Sequence, residues 1–204
     1  MNKLALFDCD GTLVDSQHSI IQCMDAAFVR AGLAPPARAA TRQIVGLSLV
    51  SAMQALLPDA PPALHIQLAD DYKTAFQTMR AKGEVDEPLF DGIVASLDAL
   101  EAAGWLLGVA TGKSDRGLDL CLRHHGLRDR FVTLQTADRH PSKPHPSMAY
   151  EAMAEAGAAP HTTIMIGDTS FDMEMGRAAG ARSLGVDWGY HDADDLWAAG
   201  AFHI

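Results

Sequence analysis

Four short stretches of the chain carry groups that could do chemistry. Asp8-Cys9-Asp10-Gly11-Thr12 sets two carboxylates two residues apart, then a glycine and a hydroxyl. Ala110-Thr111-Gly112-Lys113-Ser114 offers hydroxyls, a glycine and a lysine. Ser142-Lys143-Pro144 adds a second lysine, and Gly167-Asp168-Thr169-Ser170-Phe171-Asp172 adds two more carboxylates. Carboxylates crowded at one place repel each other unless a cation neutralises them. Hard oxygen donors with no His/Cys cluster suit Mg²⁺, which commonly takes one or two carboxylates together with a substrate phosphate. The hydroxyls, the N–H groups near glycine and a lysine suit a phosphoryl group. A carboxylate can also attack phosphorus and form an aspartyl-phosphate. A second carboxylate two residues on can serve as general acid and base. Gly11 would let the chain turn sharply between them and the next element. Residue types alone leave open which aspartate attacks.

These stretches share a site only if the fold gathers them. Each follows a short apolar run: Leu4–Phe7, Trp105–Ala110, Phe131–Gln135 and Thr163–Ile166, with a fifth run at Ser183–Val186. The runs are strand-length and not strictly alternating, as expected of strands covered on both faces. Six helical patterns stop at a glycine: Gly32, Gly104, Gly126, Gly157, Gly180 and Gly200. Glycine just past a helix takes the left-handed conformation that side chains resist. From residue 105 onward strand and helix alternate, which predicts a three-layer, Rossmann-like α/β core around a parallel sheet. In such a sheet ligands bind beyond the carboxyl ends of the strands, where all four stretches fall.

Residues 15–86 show no strand pattern. Ile20, Met24, Ala27 and Phe28 form one helical stripe. Val45, Leu49, Met53, Leu56 and Leu57 form a second, and Leu64, Leu68, Tyr72, Phe76 and Met79 a third, with Pro35-Pro36 and Pro61-Pro62 between them. The expected organisation is a core of residues 1–14 and 87–204, with an inserted all-helical cap over 15–86. Gly46 and Ser48 stand at the start of a cap helix, where glycine permits close approach and serine could donate to a substrate oxygen. His18 near the first hinge and His145 near Lys143 are further candidates for the cleft wall.

The chain has 204 residues, 16 Lys+Arg against 26 Asp+Glu and a net charge of −10. That balance, with no basic block, argues against nucleic acid as a partner. No apolar run reaches the length of a membrane span, and Met1–Asp10 carries acids where a secretory segment would have none. Cys9, Cys23 and Cys121 lack CxxC spacing and read as free thiols of a reducing, cytoplasmic compartment. Cys9, between the two carboxylates, should point into the core. Asp8-x-Asp10-Gly11 is not an EF-hand loop, since its glycine falls at the fourth position and not the sixth. Thr111-Gly112-Lys113 is not a P-loop, which would need glycine at position 107, where Leu107 stands. Lys113 is then a residue at the phosphate's edge.

Taken together, the four stretches resemble the motifs of the haloacid dehalogenase superfamily, in order and over essentially the whole chain. The nearest likeness is to its helical-cap phosphatases of the phosphoglycolate phosphatase kind. The resemblance implies Mg²⁺-dependent hydrolysis of a small phosphorylated metabolite by a monomer or homodimer. It implies that Asp8 attacks phosphorus, that Asp10 protonates the leaving oxygen and then activates water, and that Lys143 offsets charge. It implies that Thr111 and Gly112 hold the phosphoryl group, with Gly11, Thr12, Lys113, Gly46 and Ser48 around the substrate. The metal would lie on Asp8, the Asp10 carbonyl and Asp168, with Asp172 in support. An acid at position 10 favours an oxygen leaving group over a halide. A phosphotransferase of the β-phosphoglucomutase kind and a non-catalytic phosphate-binding module are the alternatives.

Overall fold

A computed structural model describes all 204 residues. Five strands form one parallel sheet: β1 (Asn2–Phe7), β2 (Trp105–Thr111), β3 (Phe131–Thr136), β4 (Ala158–Gly167) and β5 (Arg182–Gly185). Their order is β3-β2-β1-β4-β5. The first strand in the chain is therefore the central one. Phe7 pairs with Val109 on one side and Ile166 on the other, so all three strands deliver the residues that follow them to one edge.

Helices α5 (Ile93–Ala102), α6 (Asp115–His124), α7 (Ser147–Ala156), α8 (Ser170–Ala178) and α9 (Ala193–Ala199) cover the sheet, with one 3₁₀ turn at Arg128–Arg130. The reason is visible in the strands. Ala5 and Phe7 face one apolar cluster with Val109, Leu118 and Leu122, while Leu4 and Leu6 face another with Met148, Met165 and Met175. A strand apolar on both faces needs a helical layer on each side. All six predicted glycine stops have positive φ.

Between β1 and α5 the chain makes four helices, α1 (Gln17–Arg30), α2 (Arg38–Gln43), α3 (Leu49–Leu56) and α4 (Pro62–Ala81), which we number before α5. Their three apolar stripes meet in a cluster of their own around Met24, Phe28, Met53 and Leu68. Two connectors join this segment to the sheet. They run side by side, with Asp15 N–H donating to Pro88 O at 2.8 Å and Phe90 N–H to Leu13 O at 3.1 Å. The short helix α2 has no apolar stripe, burying only Thr41, so hydrophobic periodicity does not reveal it.

Candidate active site

Asp8 is the first residue beyond β1, tied to the sheet by its N–H on Ile166 O at 2.8 Å. Its side chain is fully buried. Lys143, brought in by the loop after β3, is buried beside it, with Nζ 2.8 Å from Asp8 Oδ1 and 2.6 Å from Asp172 Oδ1. Asp168 follows β4, and Asp172 lies in the first turn of α8. Oxygens of Asp8, Asp168 and Asp172 all fall within 4.8 Å of one another. Three buried carboxylates thus stand together, two of them paired with one lysine.

The neighbours of these carboxylates are specific. Asp168 accepts from Thr12 Oγ1 at 2.8 Å and from the N–H of Tyr190 at 2.9 Å. Asp172 Oδ2 accepts from the N–H and hydroxyl of Thr169, closing a capping box that starts α8. Asp8 Oδ2 has no hydrogen-bond partner at all. Burial pushes the Asp8 carboxyl up to about 7; Lys143 pulls it down and the charges of Asp172 and Asp10 push it up. Asp168 is raised well above the carboxylate range, first by burial and then by Asp8 and Asp172. Burial acts against the charge on Lys143, yet Asp172 and Asp8 outweigh it and hold the lysine protonated. A divalent cation fits this set: the donors are oxygens, one buried oxygen is orphaned, and the carboxylates outnumber their counter-charge.

Asp10 points elsewhere. Its Oδ1 accepts from the Ser16 hydroxyl and lies 2.7 Å from Lys113 Nζ. Lys113 also approaches Glu87 at 3.7 Å, and Glu87 binds Arg80 of α4 at 2.7 Å. The chain Asp10–Lys113–Glu87–Arg80 therefore joins the β1 tip, the β2 tip, the second connector and the helical segment. Thr111 is buried, and its Oγ1 accepts from Lys113 N–H at 3.2 Å, which leaves its own proton free to donate.

Several expectations need correction. Thr12 spends its hydroxyl on Asp168 instead of facing a substrate. Gly11 has φ +89°, and a Cβ there would run into the Asp168 carboxylate, so its bareness serves Asp168. Ser48 donates its N–H to Ser142 Oγ at 2.8 Å and its hydroxyl to Ser51, so it is a contact between the helical segment and the sheet domain's loop. Lys113 is an ion-pair member, its ammonium spent on Asp10 at 2.7 Å. Thr169, and not the Ser170 that follows it, caps α8. His145 is exposed and accepts from Ser147 N–H; His18 is exposed and pairs with Gln22. Gly46 and Gly112 do meet: the loop carbonyls of Gly46 and Leu47 lie where a Cβ on Gly112 would have to go, 2.8 and 2.5 Å away. Cys9 is buried in the core, as expected.

The tip of β5 was overlooked. Beyond it Trp188 Nε1 donates to Thr12 O at 3.2 Å, Tyr190 N–H binds Asp168, and Tyr190 OH meets Ser16. The signal was available, since this is a fifth strand end at the same edge of the sheet.

A parallel sheet with β1 central, an Asp-x-Asp turn at its tip and a helical segment inserted behind that turn defines the haloacid dehalogenase type of α/β enzyme. Comparison with known proteins makes the assignment firm. The sequence model of the family described as "Haloacid dehalogenase-like hydrolase" matches residues 5–186, and the chain belongs to that family. It is 36% identical over 205 residues to "Probable phosphatase IndB" of Dickeya dadantii, covering 98% of this chain and 87% of the relative. It is 30% identical over 194 residues to a phosphoglycolate phosphatase of Xylella fastidiosa, covering 95% and 83%. Among solved structures, a predicted phosphatase from Clostridium acetobutylicum superposes with a TM-score of 0.89 at 26% identity, covering 100% of this chain and 93% of the other.

Proposed function

We propose that this hydrolase is a Mg²⁺-dependent phosphomonoesterase that works through a phospho-Asp8 intermediate. The observation that carries the reading is Asp8 Oδ2, a fully buried carboxylate oxygen with no partner, beside a lysine that engages the other oxygen. Lys143 pairs with Asp8 Oδ1, which leaves Oδ2 as the oxygen without a neighbour to attack phosphorus. Its attack forms the O–P bond as the bond from phosphorus to the leaving alcohol breaks. Asp10 gives that alcohol its proton, then takes one from the water that displaces phosphate from Asp8. Ser16 and Lys113 hold the Asp10 carboxylate in place for both transfers. The Thr111 hydroxyl and the Gly112 N–H hold the transferring group, and Lys143 meets its charge. Asp8, Asp168 and the Asp10 carbonyl would hold Mg²⁺, with Asp172 in support; when bound, the ion neutralises charge on the phosphoryl oxygens.

The helical segment acts as a cap. Gly46, Leu47 and Ser48 rest on Gly112 and Ser142, and Gln43 O receives His191 Nε2 at 3.1 Å, which is a closed arrangement. Closure excludes water while the acyl-phosphate stands. The three cysteines are free and buried, which suits a reducing cytoplasm; no helix is long and apolar enough to cross a membrane. The substrates are small phosphorylated metabolites, as the names of the relatives suggest.

Asp8→Asn tests the reading. Phosphate release should fall by more than about 10³-fold, the scale of losing a nucleophile, with circular dichroism unchanged. The wild type should trap a hydroxylamine-sensitive phosphoryl label that the variant lacks. Turnover retained by Asp8→Asn would refute the assignment.

A further inference from the structure

A cavity of about 400 Å³ opens from Asp10 and Gly112 and extends away from the carboxylate cluster, between the helical segment and α6. It begins where the proposed phosphoryl site ends, so it is the space into which a leaving group would project. Its walls are largely apolar: Ile20 and Met24 of α1, Leu47, Leu49, and Tyr72 with Phe76 of α4. The two aromatic rings stand 6.0 Å apart at 33°, forming one side of the chamber.

Glycolate makes a poor match to this space. With five heavy atoms, at no more than the ~30 Å³ each that a water occupies in the liquid, it fills under half of the volume. Its carboxylate would also need an uncommitted cation close to Asp10. The lining offers none there. Lys113 is committed to Asp10 and Arg80 to Glu87, while Lys73 stands at the surface beside Asp70. Arg116, the lining cation without an ion-pair partner, is exposed on α6. An anion placed against the apolar walls, away from the exposed Arg116 and Lys73, would lose hydration. An apolar ring there would displace water from those walls and pack beside Tyr72 and Phe76, the latter ring also approached by Arg80 at 5.5 Å and Lys113 at 5.7 Å.

We infer that the preferred substrate is the phosphate monoester of an alcohol carrying an apolar or aromatic ring, and that Phe76 and Tyr72 select it. The inference rests on the phosphatase reading above. A matched pair of substrates separates the two: ethyl phosphate and 2-phenylethyl phosphate leave as similar primary alcohols and differ by the ring. With the full chain and Mg²⁺, kcat/KM for 2-phenylethyl phosphate should exceed that for ethyl phosphate and for phosphoglycolate by roughly 10- to 100-fold, the worth of burying a phenyl group. In Phe76→Ala that ratio should shrink about tenfold. Equal values for the pair, or a preference for phosphoglycolate, would overturn the ring preference and leave the phosphatase standing. A ratio unchanged in Phe76→Ala would overturn the assignment to this wall. Failure to hydrolyse all three esters and acetyl phosphate would overturn the phosphatase reading itself.

Discussion

Lys113 Nζ lies 2.7 Å from Asp10 Oδ1, and both side chains are about nine-tenths buried. Burial acts against the lysine's charge, but Asp10, with Glu87 adding to it, holds the group well above its ordinary range. The lysine is therefore a permanent counter-charge for two carboxylates. Lys113→Met should strip both at once. Breaking such a buried pair costs about 3–5 kcal/mol, and urea unfolding should register that loss together with slower turnover. A midpoint equal to wild type would show that water reaches Asp10 and does the lysine's work.

The hydrogen bond from Thr12 to Asp168 supports a carboxylate that burial already disfavours. Thr12→Val keeps the shape and removes the donor. Stability should fall by about 1–3 kcal/mol, and the Mg²⁺ concentration giving half-maximal activity should shift. No change in either would mean that the Tyr190 N–H alone suffices to hold Asp168.

Mg²⁺ itself should stabilise the fold, because the clustered carboxylates of Asp8, Asp168 and Asp172 share only Lys143. At about a hundred times its dissociation constant the ion should add ~2.7 kcal/mol, and chelator should remove it. In Asp168→Asn the difference between the two conditions should largely vanish. A wild type that unfolds identically with Mg²⁺ and with chelator would argue against a cation among these residues.

His140 supplies a pH signature away from the site. Burial first, and Arg139 next, hold its imidazole below the ordinary 6.5. Its Nε2 lies 2.8 Å from Gln135 Oε1 and its Nδ1 2.9 Å from Ser147 Oγ, contacts that a neutral ring satisfies. As pH falls, the unfolded chain takes up this proton before the folded one. The contribution is whole above about pH 6.5 and declines as pH drops through the depressed folded value. Between pH 7.5 and 5.5, wild type should lose more stability than His140→Gln. Equal losses would reject the histidine as a source.

Much of this was legible beforehand because the informative residues obey local rules. Gly104, Gly126 and Gly157 mark helix ends whatever surrounds them, and the runs at Leu4–Phe7 and Trp105–Ala110 could be buried only as strands. The acids and lysines could be grouped because each follows such a run. What the sequence hid was partnership. Thr12 and Ser48 looked like free hydroxyls, since nothing local reveals that Asp168 and Ser51 claim them. Glu87 drew no notice, because its importance comes from Lys113, which arrives from a distant segment. Tyr190 works through its main-chain N–H, a group that every residue but proline possesses.

The central place of β1 bears on how the protein is made. β1 is synthesised well before the strands on either side of it, β4 last of the pair at Ala158–Gly167. Until then the nascent polypeptide holds Asp8 without Asp168 and Asp172, the two acids that share its site. Because folding must wait for these distant pairings, a growing chain stays inert toward phosphate esters for most of its synthesis.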